Sequence, residues 1–200
     1  FRARHGRKGL RDFRGDVIRV MEASGFLYYG EWVIPKNPQA VAIRTKTERL
    51  QFSQFKRDSL ESSPALNDYV LEFRKPGEQS VRVLNDVSNE EWINWACGVW
   101  GDIRETDVLP YHAARGEADE KHIAPLQLTV IRRCIRLYSN PGEKVFTPFA
   151  GIGSEVYEAV RLGRFGEGVE LKPEYFTQAH RNAERAVSET HHQQCLLLTA

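Results

Sequence analysis

The amino-acid sequence predicts an α/β fold with a parallel sheet. Three features carry that expectation. Between residues 144 and 187 the chain reads strand, glycine loop, helix, strand, helix, at the lengths of a βαβ unit. Upstream, FLYYGEWVI and DYVLEFRK have the aromatic, β-branched and alternating character of strands. The remaining apolar stripes repeat at helical spacing and stop at glycine or proline.

Taken in order, FRARHGRKGLRDFR carries six Lys or Arg residues and one acid. It reads either as a solvated face or as a phosphate-contacting stretch. A helix is expected over 16–24, with Val17, Ile18, Val20 and Met21 on one face and Gly25 as its stop. FLYYGEWVI is the first strand, ended by Lys36-Asn37-Pro38. Residues 39–66 change character: Arg44, Lys46, Arg49, Lys56 and Arg57 outnumber the acids, and Phe52 and Phe55 lie among them. This segment is expected to be helical in part, and to be an excursion between two strands that can pair. DYVLEFRK is the second strand, and Pro76-Gly77 turns the chain.

Ser88-Asn89-Glu90-Glu91 is a capping-box pattern opening a short helix with Trp92 and Trp95. The tryptophans can pack in a core or stack on bases. Residues 101–121 lack periodicity and read as loop. Leu128, Ile131, Cys134, Ile135 and Tyr138 then form a helical stripe ended by Asn140-Pro141-Gly142. KVFT is a strand; Val156, Tyr157 and Val160 mark a helix stopped by Gly163; GEGVEL is the next strand. Pro173 opens a last helix with Tyr175, Phe176, Ala179 and Val187 inward. The tail SETHHQQCLLLTA has no readable pattern.

Composition excludes several classes. Apolar residues make up 41% and charged residues 28%, with a formal net charge of +1. This is an ordinary globular balance, and any nucleic-acid role must rest on local patches. No apolar run approaches the roughly 20 residues of a membrane span, and no signal peptide is visible. Cys97, Cys134 and Cys195 form neither a disulfide framework nor a metal-ligand spacing, and His191 with His192 lacks further ligands, so no metal is expected. The start at Phe1, inside a basic stretch, reads as part of a longer protein.

The chemistry concentrates in FTPFAGIGSE, residues 146–155. Gly151-Ile152-Gly153 follows a strand and opens a helix, which suits a nucleotide-like ligand approaching bare backbone. No lysine follows as a P-loop requires. The third glycine of a dinucleotide fingerprint is replaced by Val156, which argues against NAD. Glu170, 19 residues after Gly151, stands where an acid accepts hydrogen bonds from ribose hydroxyls. A ribose-bearing cofactor without a pyrophosphate, S-adenosylmethionine, fits these features best. The alternative is a simple tight turn with a solvated acid beyond it.

KHIAPLQLTVIRRCIRLYSNPGEKVFTPFAGIGSEVYEAVRLGRFGEGVELKPEYF resembles the cofactor-binding half of DNA amino-methyltransferases, the N6-adenine and N4-cytosine enzymes. The order of motifs is that of the permuted subclass whose catalytic motif precedes the cofactor motif, with a phage or prophage flavour in HIAPLQL and PFAGIGSE. GLRDFRGDVIRVMEASGF and DYVLEFRKPG resemble the same subclass. The likeness spans residues 9–187, weakly at 39–66 and 80–118.

The resemblance implies a partial Rossmann-like S-adenosylmethionine-dependent methyltransferase fold, three-layered with a mixed, mostly parallel sheet and an inserted target-recognition region. Residues 1–38 and 67–79 would belong to the sheet, 39–66 and 80–118 to target recognition, 119–190 to the cofactor-binding βαβ part, and 191–200 to a tail. Thr147, Pro148, Phe149, Gly151, Gly153 and Ser154 would surround the methionine part of the cofactor. Glu170 would hold the ribose, and Lys172 and Pro173 would flank the adenine. His122, Pro125 and Gln127 would close over the cofactor from the preceding helix, where Ala124 replaces a cysteine common in near relatives. Arg44, Lys46, Arg49, Lys56 and Arg57 would contact DNA. The expected reaction is methyl transfer to an exocyclic amine of adenine or cytosine in double-stranded DNA. It would take place in the cytoplasm of a bacterial or phage-infected cell, with a homodimer as a further candidate assembly.

Two departures stand out. Many relatives carry Asp where this chain has Thr147, whose hydroxyl accepts a hydrogen bond but supplies no charge. The family's catalytic tetrapeptide, Asp, Asn or Ser followed by Pro-Pro and an aromatic, is absent, because none of the nine prolines is adjacent to another. Family order places it upstream of Phe1. C5-cytosine chemistry needs a Pro-Cys nucleophile, and the three cysteines follow Ala, Arg and Gln.

Overall fold

The computed structural model describes residues 10–84, 86–111 and 124–198, with the backbone alone for 191–198. It forms two compact units. One takes in the described residues up to 80 together with 94–101; the other takes in 81–93 and the described residues from 102 onward. The stretch 80–118 is therefore shared between the units and is no body of its own.

The first unit begins with α1 (Phe13–Ala23), whose N-terminus is capped by Asp12 accepting from the Gly15 N–H at 2.9 Å. That cap starts the helix earlier than periodicity predicts. Val17, Ile18 and Met21 are half-buried, but Val20 is exposed, so the inward stripe is narrower than expected. The strands β1 (Leu27–Ile34) and β2 (Asp68–Arg74) pair antiparallel, from Leu27 opposite Arg74 to Ile34 opposite Asp68. An irregularity between Tyr28 and Gly30 leaves Tyr29 as the extra residue, and the Arg74 guanidinium lies 3.5 Å from its ring centroid.

The excursion between these strands is largely helical, as expected: α2 (Pro38–Thr45), a 3₁₀ turn at Glu48–Leu50, α3 (Phe52–Arg57) and a second 3₁₀ turn at Ser59–Glu61. Asn37 caps α2 by accepting from the N–H groups of Gln39 and Ala40. Residues 98–100 run parallel beside β1, through Val33 N–H to Gly98 and Trp100 N–H to Val33. Trp32 and Trp100 stack at 5.3 Å, and both indole N–H groups donate to the Trp95 carbonyl. Three tryptophans thus make the core here, two of them satisfied at a single acceptor.

The unit boundary falls inside α4 (Asn89–Ala96). Its capping box forms as the sequence predicts: Ser88 N–H donates to Glu91 at 3.0 Å, and Glu91 N–H donates to the Ser88 hydroxyl at 3.2 Å. The two helix tryptophans differ, Trp95 being buried and Trp92 half-exposed.

The second unit holds α5 (Leu128–Tyr138), β3 (Lys144–Thr147), α6 (Ser154–Arg161), β4 (Phe165–Gly168) and α7 (Pro173–Leu198). β3 and β4 are parallel, from Lys144 beside Phe165 to Thr147 beside Gly168, so the expected βαβ unit is present. The single larger sheet appears among the described residues as two strand pairs, β1–β2 and β3–β4. One core cluster joins Leu109, Ile152, Tyr157 and Ala186; another joins Ile131, Ile135 and Ala159. Buried Arg164 closes the far end, donating to the Ser139 carbonyl and hydroxyl and to the Leu162 carbonyl; burial pushes its pKa down.

On α7 the inward residues are Tyr175, Ala179, Asn182 and Ala186, whereas Phe176 and Val187 are exposed. A spacing of four, three and four keeps that set on one face. The helix also continues to Leu198, so most of the expected tail extends α7. Among the described residues no helix is long and apolar enough to cross a membrane, and no group of His, Cys, Asp and Glu could hold a metal.

Candidate cofactor site

β3 delivers the chain to Thr147, which is buried, and its hydroxyl accepts the Phe149 N–H at 3.3 Å. The threonine thus turns the chain out of the strand through its own side chain. Two left-handed glycines follow, Gly151 at φ +53° and Gly153 at φ +82°, which L side chains resist. They differ in their surroundings. A Cβ on Gly151 would meet nothing within 4 Å, whereas one on Gly153 would come within 2.9 Å of the Ala179 Cβ on α7. Gly151 therefore borders open space, and Gly153 is the seat of α7. α6 starts at the next residue, Ser154, which is buried.

The loop is braced from two directions. Glu170, two residues past β4, accepts Gly151 N–H at 2.8 Å and Lys172 N–H at 2.9 Å. Asn182 on α7 donates to the Ile152 carbonyl at 2.8 Å and accepts from Gln178 at 3.1 Å. Backbone bonds from Val169 N–H to Thr147 and from Ala150 N–H to Val169 carry the parallel pairing beyond β4 to the loop itself.

Glycine in β4 sets the layer spacing. A Cβ on Gly166 would lie 2.8 Å from the Val156 carbonyl, and one on Gly168 would lie 2.8 Å from the Ala150 Cβ. The close helix–strand approach that a third loop glycine gives elsewhere is present here with valine on the helix and glycine on the strand. Val156 therefore does not widen this gap, and its weight against a dinucleotide is less than the sequence suggests.

Around the open side, Phe149 is 85% exposed and Leu171 is 94% exposed. Leu171 lies between Glu170 and Lys172, and the Lys172 ammonium sits 4.5 Å from the Tyr175 ring centroid. Pro173 is the first residue of α7, as predicted. Glu155, in the first turn of α6, has its carboxyl pKa pushed up by burial.

The structure thus brings Thr147, Pro148, Phe149, Gly151, Gly153, Ser154, Glu170, Lys172 and Pro173 into one loop cluster. Gln127 is buried and Pro125 half-buried at the start of α5. Asp107 positions that start: its carbonyl accepts Leu128 N–H, and its carboxylate accepts the N–H and hydroxyl of Thr129. His122 lies outside the described residues. Sequence reading missed Asn182, Asp107 and the role of Gly166 and Gly168. The alternating glycines of GEG were the available signal, since glycine in a strand marks close approach of another backbone.

Arg44, Lys46, Arg49, Lys56 and Arg57 are all exposed on the α2–α3 excursion of the first unit. Arg49 pairs with Glu61 at 3.6 Å, Arg57 donates to Gln54, and the Lys56 ammonium lies 5.4 Å from the Phe52 centroid.

A parallel pair with a glycine loop between strand and helix, and an acid bracing that loop from beyond the second strand, defines a nucleotide-type binding α/β domain. The DNA methylase family model matches residues 20–181, and the chain belongs to that family. It is 27% identical over 174 residues to the type II methyltransferase M.BglI of Bacillus subtilis, covering 85% of this chain and 43% of that protein. It is 27% identical over 110 residues to M.MjaI of Methanocaldococcus jannaschii, covering 52% and 34%. The chain thus spans less than half the length of these relatives. Among solved structures, a candidate DNA modification methylase from Thermus thermophilus, complexed with S-adenosyl-L-methionine, is similar at a TM-score of 0.64. That match has 24% identity and covers 92% of this chain and 64% of the other. The cytosine-N4-specific PvuII DNA methyltransferase is similar at 0.55, with 16% identity over 93% of this chain and 65% of the other. The fold is that of these methylases, in part.

Proposed function

We propose that the chain is the cofactor-binding and DNA-contacting part of a DNA methyltransferase that transfers a methyl group from S-adenosylmethionine to adenine N6 or cytosine N4. The observation that carries this is the loop at 147–154, braced from behind by Glu170 and Asn182 while Gly151 borders open space. These residues fit the cofactor. One Glu170 oxygen spends an acceptor site on the loop and the other spends one on Lys172 N–H, and each keeps another for a ribose hydroxyl. Phe149 and Leu171 offer apolar surface for the adenine and methionine parts, with Lys172 and Pro173 beside them. When bound, the cofactor supplies an electrophilic methyl group.

The chain's own residues position that group and exclude water from one side. Arg44, Lys46, Arg49, Lys56 and Arg57 supply phosphate contacts on double-stranded DNA. The relatives' type II names and the HIAPLQL and PFAGIGSE motifs support a restriction-modification or phage setting, in a bacterial cytoplasm. A homodimer is the further candidate assembly.

A second reading, a module that binds DNA or cofactor without methylating, is favoured by one observation: no two prolines are adjacent, so the catalytic tetrapeptide is not in these 200 residues. Calorimetry with S-adenosylmethionine and with NAD tests the cofactor. Methyl incorporation into duplex DNA separates the two functions. Binding of NAD alone sinks both.

A further inference from the structure

α3 is inverted in polarity. Its buried residue is Gln54, 7% exposed, while Phe52 and Phe55 are 70% and 51% exposed. Gln54 is bonded within its own helix end, accepting from Arg57 and donating to the Asp58 carbonyl at 3.5 Å. Burying a phenylalanine is worth about 1.5–3 kcal/mol, so two rings left in water forgo a substantial gain. Exposed large apolar groups of this kind mark contact surfaces.

The rings are also arranged. Phe52 and Phe55 stack with centroids 6.1 Å apart and planes 28° apart, and the Lys56 ammonium sits 5.4 Å from the Phe52 centroid. Arg44, Lys46, Arg49 and Arg57 lie exposed in the same excursion. Of its three acids, Glu61 pairs with Arg49, Asp58 accepts the Leu60 N–H, and Glu48 is exposed. Stacked aromatic faces with a cation on one of them, in a segment carrying further exposed cations, complement a polyanion whose bases present π-faces. An apolar protein surface would cover the rings and offer nothing to the exposed Lys46 and Lys56.

We infer that Phe52 and Phe55 form a stacking wedge that contacts bases unstacked from duplex DNA, and that the surrounding cations hold the adjacent phosphates. Intact duplex offers such faces only where a step is opened, so the wedge favours DNA that carries an unpaired base. This rests on the DNA-methylase reading above and adds the residues that engage the opened site.

The test uses the full chain and three fluorescent probes: a paired duplex, the same duplex with one unpaired base, and the single strand. Wild type is expected to prefer the duplex with the unpaired base. The double variant Phe52→Ala, Phe55→Ala should lose that preference, with affinity for that probe falling roughly five- to a hundred-fold, the range of base–aromatic stacking. Its salt slope should not change. Phe52→Trp should keep the preference and Phe52→Leu should weaken it, which separates stacking from mere apolarity. Lys46→Gln with Lys56→Gln should weaken all three probes together and flatten the salt slope. Because both rings are exposed, the phenylalanine variants should unfold as wild type does. Equal binding of wild type and double variant to all probes overturns the wedge and leaves the DNA reading standing. No binding to any probe overturns both. A concentration-dependent dimer that the double variant loses assigns the rings to a second copy and overturns the wedge.

Discussion

The backbone N–H of Gly151 donates to Oε2 of Glu170 at 2.8 Å across 19 residues of sequence, while Oε1 of the same carboxylate accepts the Lys172 N–H at 2.9 Å. One side chain thus ties the glycine loop to the segment after β4 and to the start of α7. The acid is held in place before any ligand arrives, so a ligand need not bear the cost of ordering it. Glu170 consequently has a bracing role, beside the ligand role proposed for it, that its position in the sequence does not reveal.

Glu170→Ala should therefore lower stability as well as weaken the proposed cofactor. Hydrogen bonds to a charged group contribute about 1.5–3 kcal/mol each, and removal leaves two amides to find water. Glu170→Gln keeps one acceptor oxygen but turns an amide donor toward a donor, and should fall between. Urea unfolding with calorimetry on the same variants checks this. A variant of unchanged stability and tenfold weaker binding would show that the brace contributes nothing to folding.

The two loop glycines should respond differently. Gly151→Ala meets open space and should cost only the left-handed backbone strain, about 1–2 kcal/mol. Gly153→Ala carries the same strain plus a collision with Ala179, and should cost more. Adding Ala179→Gly should recover only part of the collision share, because the Ala179 Cα also lies 3.0 Å from the added Cβ, and should still give a favourable coupling in the double-mutant cycle. Additive losses would mean that α7 yields at no cost.

Much of this fold was legible because its signals are local. Proline at 173, glycine at 163 and the Ser88–Glu91 box each act within a turn of their own position, and all three stand where the pattern puts them. The parallel pairing followed from the lengths alone. What failed needed tertiary contacts. Val20, Phe176 and Val187 lie on plausible apolar stripes, yet all three are exposed. Leu109 and Asp107 sit in a stretch with no periodicity, and one plugs the core while the other caps α5. Glu170 was readable as a candidate ligand residue but not as a brace, because the loop it meets is 19 residues away.

Glu158 gives a sharper test of packing. It is essentially fully buried on α6, bonded by Arg132 of α5 through both oxygens at 3.2 Å and approached by Arg161 at 3.5 Å. The carboxylate raises the Arg132 pKa, chiefly through that hydrogen bond. Glu158→Ala should cost about 2–5 kcal/mol, since a fully buried side chain is removed, a cavity is left, and Arg132 and Arg161 lose their shared partner. Arg132→Ala should cost less, because Arg132 is partly exposed and Arg161 remains. Thermal unfolding that ranks the two in the opposite order would place the energy in the arginine's packing.

Two carboxyls predict opposite pH behaviour. Arg136 bonds Asp86 and Glu91, and holds Glu91 down from 4.5 to about 2. A lowered folded-state pKa contributes stability that is complete above the unfolded value and lost as pH falls through the folded one. Stability should therefore decline between pH 4.5 and about 2, and Arg136→Gln should flatten that decline. The effect is modest and salt-sensitive, because Glu91 is partly exposed. Glu155 is the reverse case: burial raises its pKa, so its favourable contribution belongs to low pH and is lost as pH rises. The helix N-terminus favours its charge, but desolvation outweighs that. Glu155→Gln should accordingly be more stable than wild type at neutral pH, with the gain vanishing in acid. Urea midpoints across the pH range measure both, and a Glu155→Gln gain that grows in acid would reverse the assignment of burial as the dominant cause.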